Sequence, residues 1–463
     1  MDATGCAGHA QAAAPGGVQW CPAATALLGI PGLVVTAVGQ DDDGWLGVDV
    51  ITHPDLREQA RQCPGCGQRG TIKDWDVTTP RDLPLGDRKI RPRWRKARLT
   101  CGNDGCPVGT FTEWLPAVPP RARLTGRLRT RIGQAVGDDL MPVAAAARSY
   151  GVSERTAASA FTAYADAQLA DLRESREPVE AAGIDEFRRG IPRPASGDQA
   201  ARSEWFTHLV DLNDGGTLGL AQERTGEAGK SLVNDHESTL RYLAMDLSAP
   251  YRSAVPDGVT VIADAFHLVK LANRKIDDAF RRLSYRTEHS HEDLGLPRPL
   301  HYMLRRNIET ISPDHLGIII DTLDGDADGQ QIAAVWIAKE QLRALLALRA
   351  TRTHVSPAPS QVRDKLASFY SWCADHQHIP EIKTLAGTIG KWQQPVIDAV
   401  LTGYSNAKAE AHNRTAKMVA RTARGFASPE NQSRRVRMAT TRSARLGTRR
   451  PPRRRSRKAT GPP

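Results

Sequence analysis

The chain has 463 residues, enough for two or three domains, one of them with a full-sized core. Its 63 Lys and Arg against 52 Asp and Glu give a formal charge of +11, but residues 431–458 hold twelve basic residues and no acid, so the remainder is close to neutral. Seven cysteines, an odd number spread thinly, exclude a secreted disulfide scaffold.

The chain opens on an Ala/Gly-rich stretch, expected to be a flexible N-terminus over residues 1–30. The apolar segment 23–39 carries Pro31 and three glycines and follows no basic run, so it reads neither as a signal peptide nor as a membrane helix. A soluble, intracellular protein is expected. Residues 33–38 and 45–52 read as strands around the acidic turn 40–44. Then come Cys63-Pro-Gly-Cys66 and Cys101-Gly-Asn-Asp-Gly-Cys106. Two short knuckles offering four thiolates suit tetrahedral Zn²⁺, and the stretch between them, with its basic segment 88–98, leaves room for two strands and a turn. Two unrelated reduced pairs would be the alternative. Cys6, Cys21 and Cys373 have no partner motif and read as ordinary thiols. Residues 116–120, proline-bounded, read as a linker.

From 124 to about 172 the pattern is helical. Residues 143–150, the break Gly151-Val152-Ser153 and residues 154–161 form a helix-turn-helix phrase: alanines let the helices approach, Gly151 takes the turn and Ser153 caps the second helix. Arg155, Thr156 and Ser159 then point toward a major groove. A plain helical hairpin is the competing reading; the cysteine knuckles upstream favour DNA binding.

Alternating apolar stretches predict strands at 180–187, 205–212 and 217–223. A helix over 229–240, a strand over 241–246, a short helix at 250–254 and a buried strand over 259–263 follow. Residues 266–400 read as mostly helical with a loop at 355–360, and a last helix spans 405–424. The Gly226–Ser231 segment resembles a phosphate-binding loop but lacks the first glycine, Arg224 standing in its place, so it reads as a strand-to-helix turn. Four acids end elements: Asp185 in Gly183-Ile-Asp185-Glu-Phe-Arg188-Arg189-Gly190, Asp246, Asp264 in Ile262-Ala-Asp264-Ala-Phe-His267, and Glu410 in the last helix. Asn406, Asn413, Arg414 and Lys417 share a helical face with Glu410, a setting that suits a metal site beside DNA. Each acid alone is more often a solvated strand end or cap.

The run from Ile262 through Asn273-Arg274 resembles the ISL-three family of bacterial insertion-sequence transposases. So do Tyr404-Ser-Asn through Asn413-Arg414, Arg424-Gly425-Phe426 with Asn431, the cysteine pairs and Gly183-Ile-Asp185-Glu, a likeness over about residues 25–440. The segment Ala407-Lys408-Ala409 departs from the small Gly-containing stretch expected ahead of the glutamate, and the Arg/Pro-rich end is unlike a folded family terminus.

The resemblance implies divalent-metal phosphoryl transfer on DNA and binding to terminal inverted repeats. The implied fold is a multidomain α/β chain whose RNase H-like mixed-sheet core has its first and fourth strands adjacent and parallel. The expected division is a zinc-binding domain at 31–118, a helix-turn-helix domain at 119–175, the first part of the core at 176–265, a helical insertion at 266–400, the glutamate helix at 401–430 and a solvated basic tail at 431–463. Asp185, Asp246 and Glu410 are the expected catalytic ligands of Mg²⁺ or Mn²⁺, with Asp264 and His267 as accessory residues or an alternative second aspartate. Cys63, Cys66, Cys101 and Cys106 are the expected Zn²⁺ ligands. Arg155, Thr156, Ser159, Asn413, Arg414 and Lys417 are expected at double-stranded DNA, transposon ends and target alike. The protein is expected to act as a homodimer or larger assembly, without a membrane, in the bacterial cytoplasm at the nucleoid. A noncatalytic DNA-binding regulator derived from a transposase is the alternative, and a nuclease without strand transfer a further one.

Overall fold

The computed structural model describes residues 12–13, 19–188, 205–247, 249–285, 290–349, 355–423, 425–426 and 428–447. It divides into two compact units, Met1–Ala170 and Asp171–Pro463. Cys6, Arg189, Gly190, Arg424 and the end of the basic tail lie outside the described residues.

The first unit contains α1 (Pro22–Leu28), strands β1 (Leu33–Gln40), β2 (Leu46–Thr52), β3 (Thr71–Thr78), β4 (Ile90–Thr100) and β5 (Thr110–Thr112), then helices α2 (Gly126–Gly137), α3 (Val143–Tyr150) and all but the last turn of α4 (Glu154–Glu174). The strands form one sheet in the order β1-β2-β4-β3, with β5 on the end of β4. The acidic turn closes at Gly44, φ 78°. Its Asp43 reaches Arg91 at 2.7 Å and its Asp41 reaches Arg93 at 3.0 Å, so the turn and part of the basic stretch neutralise one another. The expected linker at 116–120 is corrected: Val118 is buried with Leu115 against Val35, Val48 and Trp94, because a chain leaving this sheet must cover its apolar face.

The helical segment is tied to the sheet by hydrogen bonds. The Arg81 amide donates to the Arg123 carbonyl and the Thr125 amide to the Arg81 carbonyl, each at 2.9 Å. The Thr125 hydroxyl and Arg127 Nε donate to buried Asp82 Oδ1 at 2.5 and 2.8 Å. Between α3 and α4, Gly151 turns at φ 64° and Ser153 Oγ accepts the Thr156 amide at 3.2 Å, as the sequence pattern predicts. Ala147, Ala157 and Ala160 are buried with Leu128 and Ile132; their small side chains bring the helices close.

The second unit is built on strands β6 (Ala181–Arg188), β7 (Trp205–Asp211), β8 (Thr217–Gln222), β9 (Tyr242–Met245) and β10 (Thr260–Ala263), ordered β8-β7-β6-β9-β10. The first three run antiparallel, while β6-β9 and β9-β10 are parallel pairs. Helix α5 (Gly226–Val233) follows β8, and α6 (Ala249–Arg252) lies between β9 and β10. The expected helix over 229–240 therefore starts and ends earlier. The Thr225 hydroxyl caps the Ala228 amide at 3.1 Å and fixes the start, and a 3-10 turn at Asn234–His236 ends it. Then follow α7 (Ala265–Arg282), α8 (Leu300–Leu304), α9 (Pro313–Asp324), α10 (Ala327–Ala347), α11 (Pro359–Asp375), α12 (Pro380–Lys391), α13 (Gln393–Thr402), α14 (Ala407–Thr422) and α15 (Pro429–Arg445).

Strand alternation divides this sheet into two apolar faces. Ala182, Ile184, Leu209, Leu243, Met245 and Ala263 face the large core shared with α7 and α9–α13. Ala181, Ala244 and Ile262 face the other way, with Ala399 and partly buried Tyr404. The tail is corrected at its beginning: residues 429–445 are not solvated coil but α15, which packs on β8 and α14. Arg435 is buried there, and burial pulls its guanidinium down to about 10. The burial of Val436 and Met438 offsets the cost of ordering a segment whose charge alone suggests coil.

Gly183 is a point of close approach, since a Cβ there would collide with Asn406 Oδ1 and stand 3.0 Å from Leu212. Gly183→Ala should lower unfolding stability by about 1–3 kcal/mol in urea titration. Gly387→Ala, in α12 with nothing within 4 Å of the added methyl, should be neutral or stabilising. Equal effects of the two changes would contradict the close approach.

Candidate active site and metal centre

Parity and register place three carboxylates together. Asp185 follows Ala181 and Gly183 on one face of β6, and Asp246 and Asp264 continue the same face just past β9 and β10. The pairs Ala244↔Gly183 and Met245↔Ala263 carry forward to set Asp246 level with both Asp185 and Asp264. Asp246 thus occupies the middle of three adjacent parallel strands, with Asp264 two strands from Asp185. The pleat turns Glu186 to the opposite face, where it pairs with Arg224 at 2.7 Å; burial raises its carboxyl.

His267, in the first turn of α7, joins two of these acids. Its Nδ1 lies 2.8 Å from Asp264 Oδ2 and 2.7 Å from Asp246 Oδ1. One N–H serves one acceptor at a time: Asp264 and Asp246 share it, so the buried Asp246 Oδ1 has no hydrogen-bond donor of its own and faces the imidazole as an ion pair. Burial opposes the charged imidazole, but the two carboxylates outweigh it and push His267 up to about 10. Asp264 Oδ1 accepts the Asn406 amide at 3.1 Å, so this buried acid also anchors the entry to α14.

Asp185 is buried. Its Oδ1 accepts the Glu186 amide at 2.8 Å, and its Oδ2 accepts Asn413 Nδ2 from α14 at 2.7 Å. Burial, then the charge of Asp246, push the carboxyl up to about 7. Asn406 Nδ2 donates to the Ile184 carbonyl at 2.9 Å, so two asparagines seven positions apart hold α14 against β6. Glu410 lies between them, half-buried. Arg414 and Lys417, further along α14, are exposed. Among the described residues, Asp246, Asp264 and His267 have ligand atoms within 4.8 Å of one another, whereas Asp185, Asp246 and Glu410 do not form so tight a set.

Sequence reasoning missed three residues around this site. Lys408 Nζ donates to the Leu212 and Asn213 carbonyls at 2.5 and 2.7 Å. His412 Nε2 donates to the Gly215 carbonyl, which leaves Nδ1 to accept from the Thr217 hydroxyl at 2.9 Å. The β7–β8 turn therefore receives α14. His208, directly opposite Asp185 in the ladder, is fully buried and its ring stacks on His412 with centroids 6.2 Å apart. Burial, then the nearby His412, pull it down to about 3. Its place among alternating apolar residues of β7 is the signal that it faces inward.

The hard oxygen donors suit a divalent cation, and the raised Asp185 carboxyl beside Asp246, whose buried oxygen has only a shared imidazole against it, is what added cationic charge would satisfy.

In the first unit the four cysteines converge within 4.8 Å, with Cys63 and Cys106 sulfurs 3.8 Å apart and Cys66 and Cys101 3.5 Å apart. A tetrahedron with Zn–S of about 2.3 Å has edges of about 3.8 Å, so the cluster fits zinc. Gly65 admits the close knuckle, because a Cβ would press Val108 and the Cys106 sulfur; Gly67 turns at φ 74°. Burial raises the Cys63 thiol, but the Gly65 and Cys66 amides and neighbouring thiols hold it down to about 7, while Cys101, although the Asn103 amide lowers it, is pushed up to about 12 by burial and then by the adjoining thiols. Arg155 and Ser159 are exposed on α4 and Thr156 is half-buried, so all three reach the surface. Among the described residues no helix is long and apolar enough to cross a membrane.

The profile of the family DDE_Tnp_ISL3, described as a transposase, matches residues 196–436, a little over half the chain. A solved structure, the Drosophila P element transposase strand transfer complex, is similar over 68% of this chain and 90% of that chain, at 10% identity and a TM-score of 0.37. Among curated proteins none matches.

Carefully purified protein should carry one zinc per chain by metal analysis, and Cys63→Ser or Cys101→Ser should release it without unfolding the second unit. Zinc-free wild-type protein would refute the centre. A pH test follows from His208: its folded value lies below the unfolded one, so the stability it confers is present above about 6.5 and lost as pH falls toward 3. Asp185, raised on folding, acts oppositely: its contribution is present below about 4 and lost as pH rises through 7. His208→Gln should flatten the loss of stability between pH 6.5 and 4, a slope of at most about 1.4 kcal/mol per pH unit. An unchanged slope would show that His208 is protonated in the folded chain.

Proposed function

Because the chain belongs to the ISL-three transposase family, we propose that it binds the terminal inverted repeats of an insertion sequence and catalyses metal-dependent strand cleavage and strand transfer. The observation that carries this reading is the level alignment of Asp185, Asp246 and Asp264 on one sheet face, with the Glu410 helix pinned to it by Asn406 and Asn413. The strand order and the late helix support an RNase H-like core.

In this reading Asp185, Asp246 and Glu410 hold Mg²⁺ or Mn²⁺. A bound ion would supply charge to the scissile phosphate and favour the deprotonated form of the attacking hydroxyl. Asn413 orients Asp185, and Asp264 with His267 orients Asp246 and the start of α14. Arg414 and Lys417 offer exposed positive charge to DNA phosphates. In cleavage a water oxygen bonds to phosphorus as the P–O3′ bond breaks, releasing a 3′-hydroxyl. In joining that hydroxyl bonds to a target phosphorus, and the target's own O3′ leaves with the proton. The four cysteines hold structural zinc, α3 and α4 act as a helix-turn-helix with Arg155, Thr156 and Ser159 at base edges, and the protein works on DNA as a dimer or larger assembly. The proposed division is a zinc-bearing sheet, the helix-turn-helix, and a core interrupted by the α7–α13 insertion.

Asp185→Asn, Asp246→Asn and Glu410→Gln should each abolish cleavage and joining of transposon-end DNA while leaving DNA binding and melting behaviour near wild type. Asp264→Asn, which alters a positioning residue, should retain measurable metal-dependent cleavage. A dead Asp264 variant with an active Asp246 variant would exchange their roles, and end binding with no nicking under Mg²⁺ or Mn²⁺ would favour a noncatalytic regulator. Arg155→Ala should weaken binding to specific ends more than to random duplex; equal losses would remove α4 from base recognition.

A further inference from the structure

Two grooves in the first unit are of similar size and both arginine-lined, but differ in their acids. One, of about 770 Å³, is lined by four arginines but also by Asp49 and Glu113, and its Arg93 is bound to Asp49 at 2.6 Å. The other, of about 740 Å³, opens at the seam where the sheet meets the helical segment. Its lining includes Arg81, Arg91, Arg121, Arg123, Ser153 and Thr156, and no acid at all.

Arg91 is committed to Asp41 and Asp43. The other three differ. Arg81 lies over the Trp45 ring, 5.5 Å from its centroid, and Arg121 and Arg123 are exposed. Among the described residues none of these three pairs with a carboxylate. Arg121 has a left-handed backbone, φ 60°, a conformation non-glycine residues adopt at a cost, in the turn that closes the seam. Ser153 and Thr156 add hydroxyls at the N-terminal end of α4, where the helix dipole favours negative charge.

We propose that this seam is a clamp for the phosphodiester backbone of double-stranded DNA, gripping one strand alongside α4. The proposal rests on the reading of this chain as a protein that binds double-stranded DNA, not on base recognition by α4, and it adds a sequence-independent grip made by different residues. Three guanidiniums without acid partners attract a polyanion, and guanidinium forks match phosphate oxygens. Because the Arg81–Arg123 and Asp82–Arg127 bonds cross the same seam, the clamp and the recognition helix stand in fixed register. Phosphate contacts of this kind set where a reading helix sits and carry no sequence information themselves.

The test uses the full chain, its Arg121→Gln/Arg123→Gln variant and a random-sequence duplex, with binding measured across a range of salt. Removing one arginine from a DNA phosphate should make the slope of log affinity against log salt shallower by about 0.9, so the double variant should differ by roughly 1.8. The change should be equal on random and transposon-end DNA. Arg121→Lys/Arg123→Lys should keep the slope, because charge rather than shape carries it. An unchanged slope in the glutamine variant, with zinc content intact, would overturn the clamp, as would weakening confined to specific ends. Arg155→Ala separates the two ideas: if it leaves end preference intact while the glutamine variant has the shallower slope, the clamp stands and the recognition-helix reading falls.

Discussion

Everything at the candidate active site depends on the register of three adjacent parallel strands. A pleated strand sends alternate side chains to opposite faces, so a shift of one residue in β9 would send Asp246 into the apolar core. Ala182, Ile184, Leu243, Met245 and Ala263 prevent that shift, because their burial on the far face would be forfeited with it. The hydrophobic core of the second unit thus fixes the level at which Asp185, Asp246 and Asp264 meet. Chemistry on one face is enforced by packing on the other.

That alignment brings negative charge together in a partly buried place, and the surroundings answer it unequally. Asp264 has two donors, His267 and the Asn406 amide; Asp185 has Asn413 and its neighbour's amide; Asp246 has an oxygen faced only by the His267 nitrogen it shares with Asp264. The two outer acids each accept two hydrogen bonds, and the least satisfied stands at the centre. Helix α14 completes the arrangement through two amide side chains, and Gly183 is bare because Asn406 occupies the space a side chain would take. Lys408 and His412 hold the same helix to the β7–β8 turn, so the position of Glu410 is set from both sides.

In the first unit, part of the basic stretch between the cysteine knuckles is spent internally. Arg91 and Arg93 serve the acidic turn and Arg127 serves Asp82. Arg81, Arg121 and Arg123 at the seam are among the described arginines without a carboxylate partner, and they share one groove, which composition alone does not reveal. The cysteine knuckles close the far end of the same sheet, where Cys63 is buried with Ala97, Leu99 and Phe111.

The sequence by itself determined the elements whose signals are local. The Cys63/Cys66 and Cys101/Cys106 spacing, the Gly151–Ser153 turn and cap, and the alternation of β6 and β7 each depend on residues a few positions apart. Those expectations match the structure within a residue or two. The strand ends preceding Asp246 and Asp264 were legible for the same reason, whereas Asp185, read as a strand end, lies inside β6, whose pairing with β7 runs on to Arg188. Tertiary structure alone decided what depends on the meeting of distant segments. The fold of α15, despite its charge, comes from packing on β8 and α14. The burial of Val118 in a stretch that reads as a linker comes from the sheet it covers. The roles of Asn406, His412 and Lys408 came from partners about 200 positions away. A residue's periodicity shows which way it faces, but the group it meets is fixed only when another part of the chain arrives there.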